Sequence, residues 1–166
     1  MVSFIPYGKQ TISNGDIKAV NKSLKKKLLT TGPGVHLFEK KFSNYLGCKF
    51  SVSSNSGTSA IFLALKAIDL KKNDTVIIPS INFIAAANLS KSLNARVIFS
   101  DVDPLTGQMT PENLLECIRK NKIKKIKVIF TMHNGGFNNY AKDFFKIKKK
   151  YKCYLIEDAC HALGGK

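Results

Sequence analysis

The sequence predicts an α/β protein with three layers, in which a mainly parallel sheet is covered by helices on both faces. Short apolar runs alternate along the chain with longer segments of helical periodicity, and runs such as 76–78 and 128–130 are apolar at every position. Continuous apolar strands are typical of strands buried on both faces. Their alternation with helices of crossover length favours parallel pairing through right-handed connections. With 166 residues, 44% of them hydrophobic, the chain can form a substantial core.

The sequence predicts two helices in the first part of the chain. Apolar residues at helical spacing follow Ser13, and a loop signal follows at 30–34. A second helix is predicted from Val35 to Leu46, where Gly47 ends it, and a short strand is predicted at Lys49–Ser53. We expect residues 1–33 to form an N-terminal helix and arm, and residues 34–166 to form part of one large domain.

The remaining elements follow in regular alternation. A helix is predicted after Gly57, another near 82–93, a third from Pro111 and a lysine-rich one before the last strand. The intervening strands are predicted at 75–78, 96–99, 127–131 and 153–156.

The net charge of +16 arises from 27 Lys and Arg residues against 11 Asp and Glu. Only Arg96 and Arg119 are arginines, and lysine lacks the guanidinium fork that reads bases. Because the lysines are spread over most predicted helices, solvated helix faces are favoured over a nucleic-acid interface. A basic module that binds nucleic acid or another anion stays open as an alternative.

Several classes of protein are disfavoured. The four cysteines form no C-x-x-C pair, so free thiols are favoured over zinc or a disulfide framework. No apolar run has the length of a membrane span, and the N-terminus lacks the features of a signal peptide. We therefore expect a cytoplasmic protein without a metal or a membrane partner.

In open α/β sheets, ligands bind beyond the carboxyl ends of the strands. The segment 55–60 contains Gly57 and the hydroxyls of Ser56, Thr58 and Ser59 at a predicted helix start. Free amides and the positive end of the helix dipole there would suit a phosphate. A simple Ser/Thr N-cap is the alternative.

Two aromatic residues follow other predicted strands. Phe83 could provide a flat stacking partner for a ring, with burial in the core as the alternative. His133 stands beside a glycine pair and has no partner at ligand spacing, so a loop histidine is favoured over a metal ligand.

The last predicted strand leads into Glu157 and Asp158, with His161 three residues further on. A carboxylate there suits a cationic partner such as a protonated ring nitrogen, and a solvent-facing loop is the alternative. An anion site, a flat aromatic, an acid and a histidine on one rim together suit a planar, phosphorylated, cationic heteroaromatic cofactor. Pyridoxal 5'-phosphate (PLP) fits that description.

Beyond these features, the chain resembles the DegT/DnrJ/EryC1/StrS sugar aminotransferases, which are fold-type-I PLP-dependent enzymes. The resemblance is carried by short motifs in a specific order and spacing: Ile5–Gly8, Leu29–Pro33, Phe38–Glu39, Ser54–Ala60, Pro79–Asn88 and Glu157–Gly164. It implies the N-terminal half of the large domain of such an enzyme.

The resemblance also implies roles for individual residues. Gly57, Thr58 and Ser59 would bind the cofactor phosphate. Phe83 would stack on the pyridine ring, and Asp158 would pair with the ring nitrogen.

Further roles concern the edges of the site. By the same resemblance, His161 would lie near the phenolic oxygen of the cofactor, and Thr31 and Gly32 would help to shape the substrate entrance. The family transfers an amino group from glutamate to a keto sugar, usually attached to a nucleotide, in surface polysaccharide or amino-sugar biosynthesis, and it works as a homodimer.

The chain departs from the family in length. Family members are more than twice as long, and the lysine that holds their cofactor follows the Glu-Asp-Ala segment by some twenty-odd residues. We therefore expect this chain to lack that lysine and to be inactive alone. Some relatives are sugar dehydratases with histidine in place of the lysine, and that alternative stays open. Smaller departures are Cys160, where a small residue is usual, and Asn138–Asn139, where an acid is common.

Overall fold

The computed structural model describes Phe4, residues 10–137 and residues 140–165. The motif Ile5–Gly8, Asn138–Asn139 and Lys166 lie outside the described residues. The chain divides into two compact units, Met1–Ser53 and Ser54–Lys166, each of which is described by itself. Among the helices of the described residues, none has the length and apolar character needed to cross a membrane.

The first unit contains α1 (Asn14–Leu24) and α2 (Pro33–Leu46). Ser13 caps α1: its Oγ accepts a hydrogen bond from the Asp16 amide at 3.2 Å, and the Asp16 carboxylate accepts one from the Ser13 amide at 2.7 Å. This reciprocal capping satisfies donors that the first turn of a helix leaves open. Gly47 ends α2 with φ 65°, a left-handed conformation that favours glycine.

The strand predicted at Lys49–Ser53 is wrong. This segment pairs with no strand in the described part of the chain, and Phe50 and Val52 are largely exposed. The amide and hydroxyl of Ser53 instead donate to Oε1 of Glu39, both at 2.9 Å, and these bonds lower the pKa of Glu39. Short alternating sequences fit an extended chain but do not reveal whether a neighbouring strand is present to pair with it.

The second unit contains a four-stranded sheet with the order β2-β1-β3-β4, and every pairing is parallel. The strands are β1 (Thr75–Pro79), β2 (Arg96–Ser100), β3 (Val128–Met132) and β4 (Tyr154–Asp158). The helices are α3 (Gly57–Ala67), α4 (Ala85–Ser92), α5 (Pro111–Lys120) and α6 (Ala141–Tyr151). The predicted α/β class is confirmed.

Two separate apolar cores lie on the two faces of the sheet. Successive residues of a strand point to opposite faces, so Ile77 packs with the buried side chains of α5 and α6, whereas Val76 and Ile78 pack with those of α3 and α4. Each of the five β1 residues is buried. This arrangement explains the continuous apolar sequence of the strands and gives the three predicted layers.

Candidate functional site

The carboxyl ends of the parallel strands meet at one edge of the sheet. Met132, the last residue of β3, is in register with Asp158, the last residue of β4. The amide of His133 then donates to the Asp158 carbonyl at 3.0 Å. At the same edge, between β1 and β2, the Ser80 amide donates to the Ser100 carbonyl at 2.8 Å. The segments that follow the strands are therefore held side by side along this edge.

Asp158 lies at the end of β4 and is 7% exposed. The sequence places it after the strand, but the structure makes it the last strand residue, which explains its burial. Its Oδ1 accepts a hydrogen bond from the Cys160 amide at 3.2 Å. A hydrogen bond with Asp158 is the main cause that raises the pKa of the Cys160 thiol, and burial adds to it.

The N-terminus of α3 provides open amides. Ser56 caps the helix, since its Oγ accepts from the Ser59 amide at 3.1 Å, and the Ala60 amide donates to the Ser56 carbonyl at 3.0 Å. The N-cap interpretation is therefore correct for Ser56. Within the described residues, the amides of Gly57 and Thr58 have no protein acceptor, and they lie at the positive end of the helix dipole. The Ser56 cap therefore leaves these two amides open.

A contact joins α3 to the loop after β4. A Cβ built on Gly57 would lie 3.4 Å from the sulfur of Cys160. Because Cys160 is two residues from Asp158 and binds its carboxylate, the open amides of α3 and the buried acid belong to one local site. A small residue at 57 allows this close approach.

Phe83 follows β1 at the same edge and is 62% exposed. It is absent from both apolar cores, so the alternative of a core phenylalanine is wrong. Beside it, both polar atoms of the Asn82 side chain are buried and have no hydrogen-bond partner within the described part of the chain. An exposed ring and an unsatisfied amide at this edge are features of a surface that is completed by another group.

His161 is held by the turn that follows β3. Its Nδ1 accepts a hydrogen bond from the Gly135 amide at 3.3 Å. A Cβ on Gly136, whose φ is 84°, would come 2.9 Å from the carbonyl oxygen of His161. The glycine pair therefore allows the short helical turn Asn134–Gly136 to close against the loop after β4.

His133 lies in the loop after β3, as predicted, but the sequence analysis did not predict its contact with an acid. It is 6% exposed, and its Nε2 lies 3.5 Å from Oε1 of Glu157. Its position directly after β3, opposite the acids that end β4, is the signal that could have revealed this pair. Among the described residues, no group of His, Cys, Asp and Glu could hold a metal ion.

Thr31 and Gly32 lie in the first unit, in the turn before α2. Thr31 has φ 47° and Gly32 has φ 111°. Gly32 is the N-cap of α2, so this helix start has no side-chain cap. The proposed contribution of these two residues to a substrate entrance stays a prediction.

The second unit is thus an α/β fold with an acid, open helix amides and an exposed aromatic at the carboxyl edge of a parallel sheet. Residues 10–166 match the sequence pattern of the DegT/DnrJ/EryC1/StrS aminotransferase family. The chain belongs to this family, which confirms the resemblance.

Two curated proteins show the extent of the similarity. An uncharacterized protein of Methanocaldococcus jannaschii is 35% identical over 162 residues, which are 98% of this chain and 41% of that protein. The spore coat polysaccharide biosynthesis protein SpsC of Bacillus subtilis is 31% identical over 160 residues, 96% of this chain and 40% of that protein. The chain therefore spans about two fifths of the length of these relatives.

A solved structure extends the comparison to the fold. The structure of a GDP-4-keto-6-deoxymannose-3-dehydratase with a trapped PLP-glutamate geminal diamine superposes with a TM-score of 0.87 at 27% identity. The match covers 97% of this chain and 42% of the dehydratase chain. The family fold accordingly includes proteins with either an aminotransferase or a dehydratase name.

Proposed function

We propose that these residues form the PLP-binding part of a cytoplasmic sugar aminotransferase, which transfers an amino group from glutamate to a keto sugar carried on a nucleotide. Family membership supports the reaction class, and the PLP-glutamate adduct in the related dehydratase supports the cofactor and the amino donor. The observation that carries the proposal is the contact between Gly57 and Cys160, because it joins an anion site to a buried acid.

The residues present fit the cofactor at its phosphate end. The amides of Gly57 and Thr58, which lack protein acceptors among the described residues, would donate to phosphate oxygens. The hydroxyls of Thr58 and Ser59 would add donors at the same helix start. Ser59 also supports the cap, since its Oγ lies 3.0 Å from that of Ser56.

They also fit at the ring end. Asp158, which is buried, would hold the proton on the ring nitrogen. With that proton in place, PLP acts as an electron sink. Phe83 would cover one face of the ring, and its exposed position at the strand edge leaves it available for stacking.

His161 would act next to the phenolic oxygen. Since its Nδ1 accepts from the Gly135 amide, the neutral imidazole carries its proton on Nε2. That proton suits a hydrogen bond to an oxygen of the cofactor. The Gly135–Gly136 turn therefore orients the histidine and selects its tautomer.

No lysine occurs in the segments that form this edge, which are residues 54–65, 76–90, 128–141 and 153–165. We therefore expect these 166 residues to bind PLP reversibly and not to carry out transfer alone. In the whole enzyme, the sugar and glutamate would bind over the same edge, and we expect a homodimer, as the resemblance implies.

The experiment is a PLP titration followed by absorbance and by fluorescence of the bound cofactor. We expect Asp158→Asn to weaken binding by about tenfold or more, because a charge-assisted hydrogen bond is lost. Asp69→Asn is the matched control, since Asp69 is exposed and its side chain pairs with Lys71. Borohydride reduction should not attach the cofactor selectively to any one lysine of the chain, and a stable label on a single lysine would contradict the proposal. Equal affinity of all three proteins would contradict the proposal.

A PLP-dependent sugar dehydratase is the second candidate, because the TM-score of 0.87 is to such an enzyme. The two are distinguished with the whole enzyme by the mass of the sugar product. Gain of an amino group supports the aminotransferase, and loss of a hydroxyl without gain of nitrogen supports the dehydratase.

A further inference from the structure

The basic residues of the second unit are concentrated at the edge of the sheet opposite the candidate site. In this fold the helices run back against the strands, so helix C-termini and the loops before the strands share the amino edge of the sheet. We call this set the basic rim. It consists of Lys66, Lys71, Lys72, Lys91, Arg96, Arg119, Lys120, Lys122, Lys124, Lys125, Lys127, Lys148, Lys149, Lys150 and Lys152.

The carboxyl edge differs in charge. No lysine or arginine occurs in residues 54–65, 76–90, 97–118, 128–141 or 153–165. The other basic residues between 54 and 165 are Lys142 and Lys146, on the first two turns of α6. A high lysine content alone would place lysines on all solvated surfaces, so the segregation needs a further reason.

Backbone hydrogen bonds hold the segments of the basic rim together. The Tyr154 amide donates to the Lys127 carbonyl, the Lys127 amide to the Thr75 carbonyl and the Arg96 amide to the Asp74 carbonyl, each at 2.9 Å. The basic segments that precede the four strands thus lie next to one another along this edge. This continuity was hidden in the sequence, where the lysines fall on separate helices.

Few of these charges are neutralised by ion pairs. Asp69 pairs with Lys71, and Glu116 pairs with Lys120, each at 2.9 Å. In the part of the chain that the structure describes, no carboxylate lies within ion-pair distance of Lys122, Lys124, Lys125 or Lys127, or of the lysines at 148–152. Helix dipoles favour lysines in the last turns of helices but do not account for those of the loop 122–127.

We propose that the basic rim docks on an anionic lipid bilayer and directs the candidate site toward water, which departs from the expectation that the protein has no membrane partner. Lysine clusters are suited to this role, since each lysine near an anionic bilayer strengthens binding by about fivefold. Exposed aromatic side chains within the rim suit the interface between lipid and water. This inference does not depend on the proposed reaction.

Contacts within the rim favour lipid over nucleic acid. The ammonium of Lys127 lies 5.5 Å from the ring centre of Tyr154, that of Lys149 lies 4.8 Å from Phe145, and that of Lys150 lies 5.7 Å from Tyr151. Tyr154 and Phe145 remain about half exposed beside these lysines, a combination that suits the boundary between lipid headgroups and chains. The near absence of arginine also leaves few bidentate contacts for bases or phosphates.

The test is co-sedimentation of the whole chain with vesicles of phosphatidylcholine alone or mixed with phosphatidylglycerol. We expect binding to the mixed vesicles only, and a marked loss of binding as salt rises from low concentration to about 0.15 M. A rim variant with Lys124, Lys125, Lys149 and Lys150 changed to Gln should need at least about a hundredfold more lipid for half binding, because the four contributions multiply.

A control variant with Lys18, Lys22, Lys40 and Lys41 changed to Gln removes the same charge from the first unit. We expect it to bind vesicles nearly as well as the unchanged chain, and circular dichroism checks the folding of both variants. Equal loss in both variants, or binding to neutral vesicles, would overturn the proposal. Tighter binding to a short DNA duplex than to anionic vesicles would also overturn it and assign the rim to nucleic acid. PLP affinity measured in the same samples tests the proposed function separately.

Discussion

Gly57, the first residue of α3, packs against Cys160 so closely that a Cβ on the glycine would lie 3.4 Å from the sulfur. Residues more than a hundred positions apart in the sequence thus form the junction between the helix amides and the buried carboxylate of Asp158. The geometry of this junction determines whether one small ligand can reach both groups.

Enlarging residue 57 tests the junction. Gly57→Ala adds a Cβ at an ordinary van der Waals distance, so we expect little change in folding or PLP affinity. Gly57→Val adds two methyl groups that displace the sulfur, and we expect PLP affinity to fall by about tenfold, in line with the cost of overpacking.

Removal of the sulfur provides the control. The double variant Gly57→Val/Cys160→Ala should regain most of the lost affinity, because the two positions interact directly. Independent, additive effects of the two substitutions on PLP affinity would contradict the contact.

The glycine pair after β3 offers a matched comparison of stability. Gly135 and Gly136 both have positive φ, but a Cβ on Gly136 would come 2.9 Å from the His161 carbonyl, whereas a Cβ on Gly135 has no atom within 4 Å among the described residues. We expect Gly135→Ala to lower the free energy of unfolding by about 1 kcal/mol, and Gly136→Ala to lower it by roughly 2–3 kcal/mol. Urea unfolding measures both. Equal costs would show that the loop after β4 does not pack against this turn.

The chemistry of Cys160 reports the charge of Asp158. The carboxylate raises the pKa of the Cys160 thiol by accepting its hydrogen bond and by repelling the thiolate. Alkylation by iodoacetamide requires the thiolate, so the rate at Cys160 should rise only at a pH above the usual range for a cysteine. In Asp158→Asn the midpoint should move to lower pH, since the negative charge is gone.

Mass spectrometry of each cysteine after a timed reaction gives this pH profile. Cys48, in the first unit, serves as an internal reference because it is exposed and its own profile should be the same in both proteins. An unchanged Cys160 midpoint in Asp158→Asn would mean that the carboxylate does not act on the thiol.

The hydrogen bonds of Glu39 predict a pH effect on the first unit. Its pKa is lowered in the folded chain by the bonds from Ser53, so this contribution to stability is present above the unfolded pKa and is lost as the pH falls through the folded pKa. Hydrogen exchange of the Ser53 amide should therefore be slowed at neutral pH and lose its protection in acid. In Glu39→Gln the protection should depend much less on acid pH.

The sequence was sufficient for the parallel sheet because strands buried on both faces have continuous apolar runs, such as 76–78 in β1. The sequence was insufficient where the structure of a segment depends on a contact with a residue far away in the chain. The segment 49–53 bonds to Glu39 instead of pairing with a strand, and the contact between His133 and Glu157 depends on the pairing of β3 with β4.

The candidate site shows the same division. Asp158 and the amides at Gly57 were predicted from their places after a strand and before a helix. The contact through Cys160 was not, because it depends on the register of β3 and β4 and on how α3 packs. The basic rim could not be predicted without the parallel direction of the strands, because this direction brings the separate lysine runs to one edge of the sheet.

The most direct test of the account is a PLP titration of ¹⁵N-labelled chain followed by the amide signals of Gly57, Thr58 and Asp158. We predict that all three shift together with a single dissociation constant, while the amides of Asp69 and Lys125 at the opposite edge stay unchanged. If the α3 amides and Asp158 respond with different affinities, or if only one of them responds, no single cofactor bridges them and the proposed site is wrong.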